Sequence, residues 1–70
     1  MITEELYKEL VGYKDMLNMF KRTGQPLGDL NPLFRIHKEA TGRYLSIGCG
    51  SCVGEVLVDC LNMIERYERT

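Results

Sequence analysis

The chain is expected to fold as an all-α domain of three helices, and three observations predict it. Apolar residues recur at steps of three and four over residues 3–22, 32–41 and 51–68, the repeat of one helical face. Glycine and proline punctuate the gaps, at Gly24, Pro26, Gly28 and Gly42, where helices stop. Only residues 43–47 alternate, and weakly, with Leu45 and Ile47 on one side and Tyr44 and Ser46 on the other. Nothing else in the sequence offers a strand to pair with them, so a connector is expected. An α+β arrangement with a short strand at 43–47 is the second choice.

The first helix is predicted over residues 3–22. Thr3 suits the N-cap, and Glu4 and Glu5 suit the positive end of the helix dipole. Leu6, Leu10, Tyr13, Leu17 and Phe20 form its apolar face, widened by Tyr7, Met16 and Met19. Glu4 and Lys8 make an i,i+4 pair in the favourable order. Gly12 falls mid-helix, either tolerated at about 1 kcal/mol relative to alanine or marking the close approach of another helix. Lys21 and Arg22 fit the C-terminal end, and Gly24 then Pro26 stop the helix. A turn-rich loop over 24–30 follows, with Leu27 and Leu30 tucked inward.

Asn31-Pro32 starts the second helix, with Asn31 as cap and Pro32 in the first helical position, where its missing N–H costs nothing. Leu33, Ile36, His37 and Ala40 share a face, and Gly42 is a natural terminator. In the third helix, Val53, Val56, Leu57, Cys60, Ile64 and Tyr67 follow helical spacing. Cys52, Val58, Leu61 and Met63 carry the apolar surface further round the cylinder. A helix so widely apolar is buried on more than one side. Two other helices cover only part of it, which predicts a homodimer or larger assembly through this helix or the first. Tyrosines 7, 13, 44 and 67 are expected at the rim of the core, and methionines 16, 19 and 63 as core or interface filler.

Seventy residues make one domain spanning residues 1–70. A chain of this size buries only about 60% of the surface its unfolded form exposes, so assembly, a metal or disulfides are the usual supplements. Nine basic and ten acidic residues leave a net charge of −1, too balanced for a nucleic-acid binder. No run of 18 apolar residues is present, so no membrane span is expected. The opening Met1-Ile2-Thr3-Glu4-Glu5 is acidic and lacks an apolar h-region, which predicts no signal peptide. Three cysteines, an odd number, then read as cytoplasmic thiols and not as a disulfide framework.

Chemistry concentrates in Gly48-Cys49-Gly50-Ser51-Cys52-Val53, a Cys-x-x-Cys where the last helix begins. Four readings compete with plain tight packing of small residues. As an anion site, Gly48, Gly50 and Ser51 let backbone N–H groups converge at a helix start beside the Cys49 position. Arg35, Lys38 and Arg43 lie just upstream to add charge-assisted bonds. As a zinc site, Cys49, Cys52, Cys60 and His37 supply sulfur and nitrogen donors. Cys60, however, lies eight residues beyond Cys52, about 12 Å along a helix axis, too far for one ion to reach both. His37 then reads as a hydrogen-bonded, partly buried histidine and Cys60 as a small core side chain. As a thiol-redox site, Cys52 sits near the helix N-terminus, where the dipole and free N–H groups stabilise a thiolate. As a cluster site, the cysteines would hold iron and sulfide.

Three resemblances bear on these readings. Cys49-Gly50-Ser51-Cys52 resembles the Cys-Gly-Pro-Cys loop of thioredoxins over those four residues, without the alternating strands and helices of that fold. The segment from Ile47 to Cys52, followed by a helix ending in Met63-Ile64-Glu65-Arg66, resembles the end of NifU-like scaffold domains. That likeness implies an iron–sulfur cluster held by cysteines of two subunits, although Val53 stands where those domains carry proline. Leu33-Phe34, Thr41-Gly42 and Cys49-Gly50-Ser51-Cys52 together resemble small phage-encoded helical proteins with a Cys-x-x-Cys before the last helix. That likeness covers about half the chain, implies a host-directed or sequestering protein, and carries over no functional residue.

The expectation is a small non-catalytic binding module, since one histidine and no convergent carboxylate pair leave few acid–base groups. Its site would take a small anionic ligand at the start of the last helix. A zinc, iron–sulfur or thiol-redox module is the alternative, and a purely protein–protein interaction module, binding for instance a host protein, is the third.

Overall fold

A computed structural model describes residues 2–25 and 28–69. The described residues form four α-helices and no strand: α1 (Glu4–Val11), α2 (Lys14–Thr23), α3 (Asn31–Thr41) and α4 (Gly50–Arg69). The all-α expectation therefore holds, residues 43–47 are a connector, and the second-choice strand is not formed. The expected count of three helices is corrected to four, because the predicted helix over 3–22 is two.

The division falls at Gly12 and Tyr13. The Tyr13 N–H reaches back only three residues, to the Leu10 carbonyl at 2.9 Å, and Gly12 N–H bonds the Glu9 carbonyl at 3.2 Å. This tightening takes Tyr13 to φ −107°, ψ 10°, outside the helical region. Glycine is the weakest non-proline helix former, so the turn opens where helix propensity is lowest. Apolar periodicity runs through the break uninterrupted, which is why it does not show in the sequence. At the start of α1 the Thr3 hydroxyl caps the Leu6 N–H at 3.2 Å, as expected. Glu4 and Lys8 pair at 3.8 Å.

α3 begins one residue earlier than predicted: Asn31 is its first residue and not its cap, and the N-cap position falls to Leu30, which makes no side-chain cap hydrogen bond. Asp29 Oδ1 accepts from the Asn31 backbone N–H at 3.0 Å and from its Nδ2 at 2.9 Å. Leu30 packs against the core as expected, while Leu27 lies outside the described residues.

α1, α2 and α3 all pack on α4, and α1 also packs on α3. The core holds Ile2, Leu10, Leu17, Leu33, Ile36, Val56, Leu57, Cys60 and Ile64. Splitting the first helix gives α4 three covering helices, more than the sequence allowed for, yet Val58 stays 49% exposed. Near the C-terminal end of α4, Glu68 accepts from the Tyr7 hydroxyl at 2.9 Å and from Lys14 Nζ at 3.0 Å. The Tyr7 and Tyr67 rings stack with centroids 4.0 Å apart. Met16 and Met63 pack against the core, whereas Met19 and Tyr44 are exposed, Tyr44 by 75%. No helix among the described residues is long and apolar enough to cross a membrane.

Candidate functional site

The start of α4 is set by two turns. Gly42 ends α3 in the left-handed region, φ 76°, and its N–H closes on the Lys38 carbonyl at 2.7 Å. That conformation suits glycine, and it reverses the chain into the connector. Ser46 then builds the second turn. Its hydroxyl accepts from Gly48 N–H at 3.3 Å and its carbonyl from Cys49 N–H at 3.1 Å, a serine turn that delivers Cys49 to the helix end.

Cys49 caps α4. Its carbonyl accepts the Val53 N–H at 3.1 Å, and its sulfur accepts the Cys52 backbone N–H at 3.3 Å. A side-chain acceptor here satisfies one of the free donors at a helix start, as serine or aspartate does elsewhere. The Ser51 hydroxyl lies 3.3 Å from the same sulfur. Hydrogen bonds from the Cys52 thiol, the Ser51 hydroxyl and the Cys52 N–H all favour the thiolate, and they lower the Cys49 pKa to about 7. Cys52 moves the opposite way. Its thiol gives the hydrogen bond to Cys49 and is partly desolvated, so its pKa is raised. The stabilised thiolate is expected on Cys52, but the hydrogen bonds favour it on Cys49, because the helix begins at Gly50 and Cys49 is the residue outside its first turn.

The upstream cations are already engaged. Arg35 pairs with Glu9 on α1 and with Glu39 at 3.3 Å on its own helix. Arg43 pairs with Glu55 at 3.2 Å, within the first two turns of α4. Lys38 Nζ stands 5.6 Å from the centroid of the Tyr44 ring, a cation–π distance. Around the helix end, Gly48, Cys49 and Cys52 spend their N–H groups on Ser46 and Cys49. Space is open at Gly50, where an added Cβ would meet nothing within 4 Å.

The four residues of the zinc reading do not come together in one chain. His37 is buried, with Nε2 2.9 Å from Asp59 Oδ2, and is more deeply enclosed than the sequence reading had it. Cys60 is fully buried, its thiol directed at the Leu33 carbonyl at 4.0 Å, and burial pushes its pKa up to about 12. Among the described residues no three His, Cys, Asp or Glu side chains group as metal ligands. Cys49 and Cys52 remain as a pair of free, half-buried thiols. Ser46, Glu55 and Asp59 belong to the site and its supports but were not foreseen. Ser46 two residues before Gly48 is a serine-turn signal, while nothing in the spacing of Glu55 and Asp59 marks them off from the other charged residues of α4.

No protein-family model matches the chain, and no curated protein or solved structure is significantly similar to it.

Proposed function

We propose that this chain is a small stoichiometric thiol module, whose working group is the Cys49–Cys52 pair and whose reaction is exchange with a disulfide-bearing partner. The observation that carries the reading is the position of the Cys49 sulfur. It is the cap of α4, with the second thiol one helical turn further on. The anion that the helix end receives is then the chain's own thiolate in place of an external ligand.

The exchange balances within the pair. The Cys49 thiolate attacks one sulfur of a partner disulfide, forms a mixed disulfide and releases the other partner sulfur as a thiolate. Cys52 loses its proton to solvent and attacks the Cys49 sulfur. The Cys49–Cys52 bond closes and the second partner thiolate leaves, so the partner gains the two electrons that the pair loses. Cys60 takes no part, being buried and protonated. We further infer that the module works as a homo-oligomer in a compartment that keeps thiols reduced, such as the cytoplasm.

Trapping tests the reading. Cys52→Ser removes the resolving thiol, so oxidised glutathione should leave a stable mixed disulfide on Cys49, whereas the unaltered chain should end with an internal disulfide and no adduct. Mass spectrometry under non-reducing conditions distinguishes the two. Equal modification of all three cysteines, or none, would overturn it. In parallel, phosphate-bearing ligands should leave the melting temperature unchanged. A concentration-dependent rise would instead favour the anion-binding reading, in which Gly48, Gly50, Ser51 and Arg43 hold the ligand.

A further inference from the structure

α2 and α4 run antiparallel, with Lys14 meeting Glu68 at one end and Phe20 lying near Val58 at the other. Between them opens a shallow groove of about 140 Å³ lined by Phe20, Lys21, Val58, Leu61, Asn62 and Glu65. Of its apolar residues, Phe20 and Leu61 are half-buried against the core, while Val58 is 49% exposed. Lys21 on α2 and Glu65 on α4 are both exposed, and neither enters an ion pair among the described residues.

We propose that this groove is the contact face of a symmetric homodimer. The inference rests on the assembly reading above and names its surface. The two walls of the groove are complementary in charge, with Lys21 on α2 and Glu65 on α4. A twofold axis through the groove makes the contact isologous: the same patch meets itself, residue i of one copy against j of the other and j against i, so the patch must be complementary to itself. One free lysine and one free glutamate on opposite walls of an apolar floor satisfy that condition. Lys21 meets Glu65 of the partner subunit, the reciprocal pair forms by symmetry, and Phe20, Val58 and Leu61 close the centre. A partner of different sequence would need a matching pattern of both charges; a second copy carries it already. The helix excess that α1, α2 and α3 leave on α4 is then covered at the middle of that helix, and neither Cys49 nor Cys52 lines the groove.

A charge swap tests the face. Sedimentation equilibrium of the unaltered chain should show a dimer at micromolar concentration. Lys21→Glu and Glu65→Lys should each weaken dimerisation by about ten-fold or more, because every substitution places like charges together twice. The double variant K21E/E65K restores both pairs in reverse and should recover the dimer. All the substituted side chains are exposed, so the helical circular dichroism should persist throughout. A monomeric unaltered chain overturns both this face and the assembly reading and leaves the thiol reading standing. A dimer that both single variants retain overturns the face alone, as does a double variant no better than the singles.

Discussion

At the residue scale, the three cysteines carry three different chemistries because their surroundings differ. Cys49 is held as an acceptor and is drawn toward the thiolate near neutral pH. Cys52 is a donor and keeps its proton longer. Cys60 is desolvated and inert. Linkage fixes the sign of the stability effect. An acid whose folded pKa, about 7, lies below its unfolded value, 9.0, stabilises the fold fully above the unfolded value and loses that contribution as pH falls through the folded one. Stability should therefore rise between pH 7 and 9 in urea melts, and Cys49→Ser should flatten the rise. Cys60, raised to about 12 from 9.0, acts the other way, and its contribution declines only as pH climbs above 9. A Cys49→Ser variant with the same slope between pH 7 and 9 would contradict the assigned thiolate. The sequence displayed these thiols and the helix start, but not which sulfur holds the charge. That depended on a single residue of helix boundary, the least legible feature of a helix.

At the element scale, the caps explain where the sequence was read correctly and where it was not. Thr3, Gly24 and Gly42 act locally, through one side chain or one left-handed residue, and each was visible as such. The break at Gly12 was hidden because the residues that pack, Leu10 and Leu17, keep helical spacing on both sides of it. Asn31 fits a cap because it precedes proline, yet it is the first helical residue; Leu30 holds the N-cap position without a side-chain bond, and Asp29 accepts the Asn31 N–H from the turn before it. Asp29→Ala should therefore cost about 1 kcal/mol of stability, within the usual range for a lost hydrogen bond, and more than Asn31→Ala does, because it removes the acceptor of both Asn31 donors. Denaturant midpoints at constant slope measure both. The reverse order would contradict the role given to Asp29.

At the scale of the whole molecule, α4 organises both the fold and the site. Its middle, Val56, Leu57, Cys60 and Ile64, is sealed by three helices. Its N-terminal end carries the thiols, Cys52 in the first turn and Cys49 as the residue before it, both half-buried. His37 and Asp59 tie α3 to α4 across the core edge, fixing the connector from which Cys49 is delivered. The buried faces were legible because periodicity reports burial directly. The fates of Arg35 and Arg43 were not, because their partners Glu9 and Glu55 lie on other elements and ion pairs between elements leave no trace in spacing. The central claim is that Cys49 and Cys52 form one two-electron couple while Cys60 stands apart. Equilibration of the folded protein in glutathione buffers of graded potential, followed by alkylation and mass spectrometry, tests it most directly. Cys49 and Cys52 should lose alkylation together along a single two-electron curve, with Cys60 alkylated only after unfolding. Independent loss at Cys49 and Cys52, or participation of Cys60 in the folded protein, would contradict the account.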